Sequence, residues 1–357
     1  MLFGKPKSQL GIDIGSSNIK IAQLRPKDDQ FVLETYGLVN TSYQIANKES
    51  STSVKETAEI LKNLVQRAGV TCKKVIASLP NNSVFTSVID MPKIPDSELK
   101  TAVEFEAKKY VPLPLAEVAL SWSIIQEKKP KILKDTNLGA YKSETESRIK
   151  VLLTAVPTAV IDNYLKVFKM ADLEVLALEI EALSLIRSLV AEDADNTILI
   201  DIGAKSTSIN LVDDGYLRLS KNLNVGGETI TTSIAQSLSV NQARAEQFKK
   251  DFGLGANSTS TQIPQVMRPI LDIIKNEASQ LINLFESRGQ KIDKIILTGG
   301  GSKLPSLKEY FSVLGKTMVL ADPWVKVNYP SDLKPLIGPL GPNLAVAVGL
   351  AMRRTDA

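Results

Sequence analysis

Histidine is absent from this sequence of 357 residues, and Cys72 is its single cysteine. The lack of histidine excludes Ser-His and Cys-His catalytic pairs and most zinc sites. A single cysteine excludes an intrachain disulfide, which fits a reducing cytoplasm. Lys73 and Lys74 follow Cys72 directly, but two lysines alone activate a thiol weakly, so we expect an inert and partly buried cysteine.

An excess of one charge and long apolar runs are also lacking. The chain has 43 basic and 39 acidic residues, a net charge of +4, which does not indicate the basic surface of a nucleic-acid-binding protein. No run approaches the ~20 apolar residues that span a bilayer, and the first ten residues do not resemble a signal peptide. Residues 352–357 are too short and polar for an amphipathic anchor. We therefore expect no direct membrane insertion, and any attachment to a membrane should come through a protein partner.

The most informative pattern is an internal repeat of an apolar strand, an Asp-Ile-Gly tip and a second strand. The first copy spans residues 10–21 and contains Asp13, and the second spans residues 198–209 and contains Asp201. Asp214-Gly215 marks a hairpin turn after the second copy. Helical patterns follow both hairpins, so the sequence predicts an α/β fold with a duplicated domain. Its length exceeds what one core usually serves, which agrees with two halves.

A segment of different texture lies between the two copies. Its expected elements are strands at residues 74–79, 84–90, 119–126 and 149–156 and a helix at residues 96–110. They predict a small α+β subdomain inserted in the first half, and the lysine-rich residues 127–148 are expected to form a mobile hairpin loop. The predicted domains are residues 1–78 with 157–190 and the C-terminal helix at 339–357 for the first half, 79–156 for the insert, and 191–338 for the second half.

The first repeat tip has the residue types that bind a nucleotide phosphate chain. Gly15 lets the backbone approach a phosphate, and Ser16, Ser17 and Asn18 add hydrogen-bond donors. Lys20 points to the same side of its strand as Asn18 and could reach a phosphate oxygen. Asp13, at the strand end, could hold the waters of a bound Mg²⁺.

The second tip is expected to clamp the same phosphates from the opposite side. Its candidate residues are Gly203, Lys205 and Ser206, with Asp201 mirroring Asp13 as a second metal-side acid. Alternatively, each Asp-x-Gly only closes a tight turn, and Lys205 could equally be a solvated lysine. Two copies of the tip, together with three glycines after another buried strand, favour phosphate binding. These glycines are Gly299, Gly300 and Gly301.

Two further patterns could complete the site. Gly226 and Gly227 precede a helix whose N-terminus could bind an anion, although they could also belong to an ordinary capped helix. Glu246 and Lys249 lie three residues apart on one helix face. They could hold ribose hydroxyls, or they could form one more surface ion pair.

These motifs together resemble the actin, Hsp70 and hexokinase superfamily. The two hairpins are similar to its phosphate-1 and phosphate-2 motifs, and Leu-Thr-Gly-Gly-Gly-Ser at 297–302 is similar to its adenosine motif, which adds Ser302 to the candidates. Two connecting helices are expected at residues 178–185 and 339–352. The resemblance implies duplicated actin-like, ribonuclease H-like domains that bind ATP with Mg²⁺.

The insert resembles that of the PilM family of type IV pilus assembly proteins. The segments that carry this resemblance are residues 89–95, 98–99, 104–107 and 110–112. The insert is similar, more distantly, to the cell-division family FtsA, whose members end in an amphipathic helix that this sequence lacks. The resemblance to PilM covers nearly the whole chain. It implies a cytoplasmic protein at the inner membrane that docks the N-terminal peptide of a PilN-like partner between the first half and the insert. Pilus motor components are further candidate partners.

The resemblance also implies candidates for ATP hydrolysis. Glu181 aligns with the residue that positions the attacking water, and Asp201 is the expected second acid. Alternatively, Glu181 only caps or pairs at the domain interface. Because no dedicated base is evident, we expect slow turnover, with nucleotide mainly setting the angle between the halves.

Two other functions remain open on the same fold. A small-molecule kinase needs a catalytic acid in the cleft, but residues 41–53 are rich in Ser, Thr and Asn and offer no such pattern. The pilus-like insert also has no place in a kinase. An FtsA-like filament-forming protein is the other alternative.

Overall fold

The computed structural model describes residues 7–41, 51–125, 148–191, 196–255 and 262–354. The loop predicted at 127–148 lies outside these ranges, except for Arg148, which begins a strand. The strands are β1 (Gln9–Ile14), β2 (Asn18–Lys27), β3 (Gln30–Asn40), β4 (Lys74–Leu79), β5 (Phe85–Pro92), β6 (Val118–Ile125), β7 (Arg148–Pro157), β8 (Glu174–Ile180), β9 (Thr197–Ile202), β10 (Thr207–Asp213), β11 (Tyr216–Leu223), β12 (Lys294–Thr298), β13 (Thr317–Leu320) and β14 (Val327–Asn328). The α-helices are α1 (Ser51–Arg67), α2 (Asp96–Tyr110), α3 (Thr158–Met170), α4 (Glu181–Leu189), α5 (Gly227–Leu238), α6 (Gln242–Phe252), α7 (Gln262–Glu286), α8 (Leu307–Phe311), α9 (Lys334–Ile337) and α10 (Gly341–Ala351).

Two sheets form the body of the molecule, and five strands of each have the same topology, while β14 adds a sixth strand parallel to β3 in the first sheet. The first has the order β14-β3-β2-β1-β4-β8, and the second has the order β11-β10-β9-β12-β13. In the first sheet β1, β2 and β3 are antiparallel, while β4 is parallel to β1 and β8 is parallel to β4. The second sheet repeats this arrangement with β9, β10, β11, β12 and β13. The predicted duplicated α/β fold is therefore confirmed.

The third sheet is built from the strands between the two copies of the repeat. Its order is β5-β7-β6, and both pairings are antiparallel. Helix α2 covers one face with Leu99, Val103 and Ala107, which recur every four residues and are buried. They pack with Ile89 and Leu153 of the sheet in a separate apolar core. We call residues 80–157 of this layer, with α2, the insert.

One of the predicted connecting helices begins later than expected. Residues 178–185 were expected to be helical, but residues 178–180 belong to β8, and α4 begins at Glu181. Leu178 pairs with Ala77 and Ile180 pairs with Leu79, so the edge of the first sheet recruits these residues as a strand. The second predicted connecting helix, at 339–352, corresponds to α10 and the short turn before it.

The helical run Ser331–Ala351 has the length and composition of a membrane span, with a mean hydropathy of 1.2, although no such run was expected. Of its most apolar window, 56% is buried inside the protein. Its second part, α10, packs against β1, β2 and α4. The apolar side chains of α10 are therefore buried in the core between the sheets.

Candidate functional site

A cleft of about 730 Å³ opens between the two larger sheets. The carboxyl ends of β1 and β9 point into it, and so do the loops that follow them. Most of the candidate residues line the cleft, namely Asp13, Gly15, Ser16, Ser17, Asn18, Lys20, Glu181, Asp201, Gly203, Lys205, Ser206, Gly227, Glu246, Lys249, Gly299, Gly300 and Gly301. Residues 188 positions apart in the two copies of the repeat thus face one another across a single space.

The two repeat tips are closed by the same backbone hydrogen bond. The Gly15 amide donates to the carbonyl of Asn18 at 2.9 Å, and the Gly203 amide donates to the carbonyl of Ser206 at 2.9 Å. Each bond closes a turn of four residues between two antiparallel strands. The turn places short side chains and exposed backbone at the cleft wall, where a phosphate can approach closely.

Asp13 is buried at the floor of the cleft and has two side-chain partners. Lys20, its neighbour across β1 and β2, donates to Asp13 Oδ2 at 2.7 Å. Ser78 on β4 donates to the other oxygen, Oδ1, at 2.8 Å. Burial alone would lower the pKa of Lys20, but Asp13, followed by Asp201 and Glu181, raises it above its ordinary value. Lys20 is therefore a charged ammonium, with two further N–H groups besides the one bound to Asp13.

The glycines after β12 pack directly against the end of β9. Gly299 has a φ of +79°, and a Cβ there would lie 2.6 Å from the Ile202 carbonyl oxygen. A Cβ on Gly301 would lie 2.9 Å from Ile202 Cβ. Such distances are too short for a real side chain, so this loop can approach Asp201 only because it is made of glycine.

Two acidic side chains share the floor of the cleft with Asp13. Burial raises the pKa of Asp201 to about 6, with Lys20 opposing the shift and Asp13 adding to it. Burial, and then repulsion from Asp13 and Asp201, raises the pKa of Glu181 well above its usual value. The three carboxyl groups thus carry more negative charge than the single ammonium group of Lys20 can balance. A bound cation would reduce the repulsion between them.

The carboxylates fit a Mg²⁺ ion that is held together with phosphate. Among the described residues, no group of three His, Cys, Asp or Glu side chains could bind a metal alone. Mg²⁺ usually keeps several waters and takes one or two carboxylates plus substrate phosphates, so it does not need such a group. Asp13 and Asp201, one from each half, are the residues that could hold it.

Glu246 and Lys249 form a partly buried network at the cleft wall. The Lys249 ammonium donates to Glu246 at 2.6 Å, to Thr231 at 2.8 Å and to the carbonyl of Gly227 at 2.9 Å. The Lys249 side chain is only 13% exposed, so this ion pair is not the ordinary surface pair that was the alternative prediction. Burial by itself raises the pKa of Glu246, but hydrogen bonds from Lys249 and Thr231 hold it below its usual value. Helix α6 is thereby fastened to the start of α5.

Two candidates, Gly226 and Ser302, do not line the cleft, and a third, Lys205, lines it with an exposed side chain. Gly226 lies behind the second loop, where a Cβ would be 2.6 Å from the carbonyl oxygen of Ala204. The Ser302 hydroxyl is buried and donates to the carbonyl of Gly299 at 2.7 Å. Lys205 lines the cleft but is 44% exposed and lies 3.9 Å from Glu228. Gly226 and Ser302 therefore support loops that face the cleft.

Some residues that line the cleft were not predicted. They include Pro80, Asn81 and Asn82 at the start of the insert, Lys250 and Lys303 near Lys249, and Asn343 on α10. Asn81 and Asn82 follow β4, whose carboxyl end lies beside that of β1 because the two strands are parallel. Polar residues after a buried strand are the signal that could have identified them.

The family model described as type IV pilus assembly protein PilM matches residues 11–355. The chain belongs to the PilM family. A solved structure of a PilM-PilN type IV pilus biogenesis complex contains a chain with this fold, at a TM-score of 0.80 and 25% sequence identity. That match covers 97% of this chain and 98% of the other. The resemblance to PilM inferred from the insert is confirmed.

Cell division proteins FtsA are relatives of this PilM-family chain. FtsA of Bacillus subtilis strain 168 is 24% identical over 378 residues, covering 96% of this chain and 82% of FtsA. FtsA of Enterococcus hirae is 22% identical over 361 residues, covering 89% of this chain and 79% of FtsA. The similarity to FtsA expected from the insert is therefore present along most of the chain.

Two further solved structures have the actin-like fold of this PilM-family chain. The ethanolamine utilization protein EutJ from Carboxydothermus hydrogenoformans matches with a TM-score of 0.58 and 17% identity, over 97% of this chain and 90% of EutJ. MreB5 of Spiroplasma citri bound to AMPPNP matches with a TM-score of 0.53 and 13% identity, over 97% of this chain and 95% of MreB5. At these identities the matches establish the fold alone.

Proposed function

We propose that this protein binds ATP with Mg²⁺ in the cleft and serves type IV pilus assembly as a cytoplasmic scaffold at the inner membrane. The convergence of three glycine-containing loops on the buried carboxylates is the observation that carries the nucleotide part. Two of these loops have the same closed turn, and the third reaches Asp201 through glycine. A triphosphate with a divalent cation has the size and charge to fill the space between them.

Each part of the cleft has a proposed contact with the nucleotide. The turns at Gly15 and Gly203 hold the phosphates, and Lys20 donates to one of their oxygens. Asp13 and Asp201 would hold Mg²⁺, which would supply positive charge beside the phosphates. The network of Glu246 and Lys249 holds the ribose, and the loop of three glycines borders the adenosine.

The proposed partner is the N-terminal cytoplasmic peptide of a PilN-like inner-membrane protein. The similarity to the PilM chain of a PilM-PilN complex supports this proposal, because it spans 97% of this chain and includes the insert. We expect the peptide to lie between the first half and the insert. Attachment to the membrane would then depend on the partner.

Hydrolysis is proposed to be slow. Glu181 accepts a hydrogen bond from Asn81 at 2.7 Å, and its raised pKa makes it a weak acid at the cleft floor. Such a side chain can orient a water molecule, but the chain has no histidine to act as a dedicated base for proton removal. Nucleotide would therefore mainly set the angle between the two halves.

Calorimetric titration of the purified chain with MgATP, MgADP and MgAMP tests the nucleotide proposal. We expect saturable binding of ATP and ADP that weakens in EDTA, and weak binding of AMP because it lacks the outer phosphates. Lys20→Met should reduce ATP affinity at least about tenfold, a loss of about 1.4 kcal/mol. Lys62→Met is the control, since Lys62 pairs with Asp172 on the surface. A folded chain that binds no ATP would refute the proposal.

The partner proposal is tested with a fluorescent peptide copied from the N-terminus of the neighbouring inner-membrane protein. Saturable binding that a scrambled peptide does not reproduce is the expected result. Absence of binding, with and without MgATP, would remove the docking proposal while leaving ATP binding in place. ATP-dependent polymers seen by light scattering would instead favour the FtsA-like alternative.

A further inference from the structure

Asn81 lies at the covalent connection between the first sheet and the insert. It begins the short turn Asn81–Ser83, which joins the end of β4 to the start of β5. Strand β4 lies beside β1 in the first sheet, whereas β5 belongs to the sheet of the insert. This turn is therefore one of the two chain connections that hold the insert to the first half, the other being the junction of β7 with α3 at Pro157.

The side chain of Asn81 contacts the floor of the cleft. Its Nδ2 donates to Glu181 Oε2 at 2.7 Å, and both residues line the cleft. Glu181 begins α4, one of the two helices that connect the halves. The amide therefore determines which way the carboxyl group of Glu181 faces.

The backbone of Asn81 contacts the second half. Asn222 on β11 donates from Nδ2 to the Asn81 carbonyl oxygen at 3.0 Å. Asn222 pairs with Ser208 on β10, and Ser208 in turn pairs with Asp201. This hydrogen bond thus connects the turn to the sheet that carries the second phosphate loop.

Apolar contacts run parallel to these hydrogen bonds. Ile125 and Leu152 from the insert form one buried cluster with Ile180, Ala182 and Leu217. Ile180 and Ala182 flank Glu181, and Leu217 is on β11 of the second half. The insert thus packs against both halves, next to the turn that Asn81 begins.

We propose that Asn81 is an additional residue of the nucleotide site, which orients Glu181 and transmits closure of the cleft to the insert. Closing of the halves around a nucleotide would move β11 relative to Glu181. Both Glu181 and Asn222 of β11 form hydrogen bonds with Asn81. Either the insert follows this movement or one of the bonds breaks. The inference rests on the proposed binding of ATP and extends it to the layer where the partner peptide is expected.

Hydrogen-exchange mass spectrometry of the full chain, with and without MgATP, tests this inference. In the wild type we expect protection at residues 15–18 in the first phosphate loop and at residues 85–92 in β5. The exchange rate of β5 should fall by about fivefold or more, the lower end of typical coupling between two sites.

Two variants separate the two contacts of Asn81. Asn81→Ala removes the bond to Glu181 but keeps the backbone carbonyl, and Asn222→Ala removes the bond from the second half. Each should abolish most of the ATP-dependent protection of β5. Asn222→Ala should also keep the protection of the phosphate loop, because Asn222 does not line the cleft. Asn196→Ala is the matched control, because Asn196 donates in the same way to the Lys291 carbonyl at 2.9 Å, within the second half. It should behave as the wild type.

The outcomes distinguish this inference from the function on which it rests. If the phosphate loop of the wild type is not protected by ATP, the proposed function and the inference both fail. If the loop is protected but β5 does not respond, or still responds fully in Asn81→Ala and Asn222→Ala, only the inference is overturned. Asn222 is exposed, so its variant should fold even if Asn81→Ala does not.

Discussion

A Cβ atom on Gly349 would lie 2.6 Å from the carbonyl carbon of Ser184, so α10 and α4 meet backbone to backbone. The contact is reinforced by Ser188, whose hydroxyl donates to the Ala345 carbonyl at 2.9 Å, and by Arg187, which donates to the Gly349 carbonyl at 2.6 Å. Since α4 follows the first sheet and α10 packs between the sheets, this crossing is a close contact at the junction of the two halves.

The first prediction concerns this crossing. Gly349→Ala should destabilise the protein by about 1–3 kcal/mol or more, because the added methyl group forces two backbones apart. Gly338→Ala is the control, since a Cβ at Gly338 meets no atom within 4 Å. Urea unfolding of both variants measures the difference. Equal stability of the two variants would show that the helices can separate without cost.

The second prediction separates two adjacent lysines that share Glu246. Lys249 is 13% exposed and bonds three acceptors, whereas Lys250 is 66% exposed and lies 3.3 Å from the same carboxylate. Lys249→Met should cost about 1–3 kcal/mol of stability because it leaves buried acceptors without a donor. Lys250→Met should cost less than about 0.5 kcal/mol, as surface substitutions usually do.

The same pair of variants tests the ribose contact. Lys249→Met should also weaken ATP binding about tenfold, or 1.4 kcal/mol, and Lys250→Met should weaken it less, because Lys250 lines the cleft but is more exposed. Titration calorimetry at one salt concentration gives both affinities. A loss of stability without a loss of affinity would assign Lys249 to the fold alone.

The third prediction concerns the loop of three glycines. Gly299→Ala combines a positive φ with overlap against Ile202 and Asp201, so it should destabilise the protein by about 2–4 kcal/mol and weaken ATP binding. Gly289 also has a positive φ, of +76°, but a Cβ there meets no atom within 4 Å. Gly289→Ala should therefore show only the conformational cost of about 1–2 kcal/mol and normal affinity. Thermal unfolding and ATP titration of the two variants measure the contribution of the overlap.

The fourth prediction concerns pH and Asp201. Its pKa rises from 3.8 to about 6 on folding, so the folded protein holds this proton more tightly than the unfolded chain does. The contribution of Asp201 to the free energy of unfolding should therefore fall as the pH rises from about 4 to about 6, and remain low above that range. Asp201→Asn should reduce this fall and stabilise the metal-free protein at pH 7.5 by about 1–2 kcal/mol.

Asp172→Asn is the contrasting variant for this measurement. Hydrogen bonding and attraction from Lys62 hold the pKa of Asp172 below its ordinary value. Asp172 thus stabilises the fold above pH 4 and loses this effect as the pH falls, the opposite direction to Asp201. Urea unfolding in EDTA from pH 4 to 8 compares both variants with the wild type. A wild-type stability that rises between pH 4 and 6, with no change in Asp201→Asn, would contradict the prediction.

The local chemistry of the cleft could be predicted from the sequence. Two patterns can be recognised in the sequence alone, namely the repeat around Asp13 and Asp201 and the glycines at 299–301. Tight turns and close backbone approach require particular residues at particular spacings, so such patterns are visible without the structure. The duplicated fold followed from the same repeat, since two similar sequences bury their apolar strands in the same way.

Features that depend on residues far away in the chain could be determined only from the tertiary structure. Leu178, Glu179 and Ile180 are compatible with a helix, but pairing with β4 makes them a strand and places Glu181 at the first position of α4. Asn81 belongs to no motif, and its proposed role arises from contacts with Glu181, 100 residues away, and Asn222, 141 residues away. Periodicity and turn residues report on neighbours along the chain, whereas these positions are set by which surfaces become buried together when the two halves and the insert assemble.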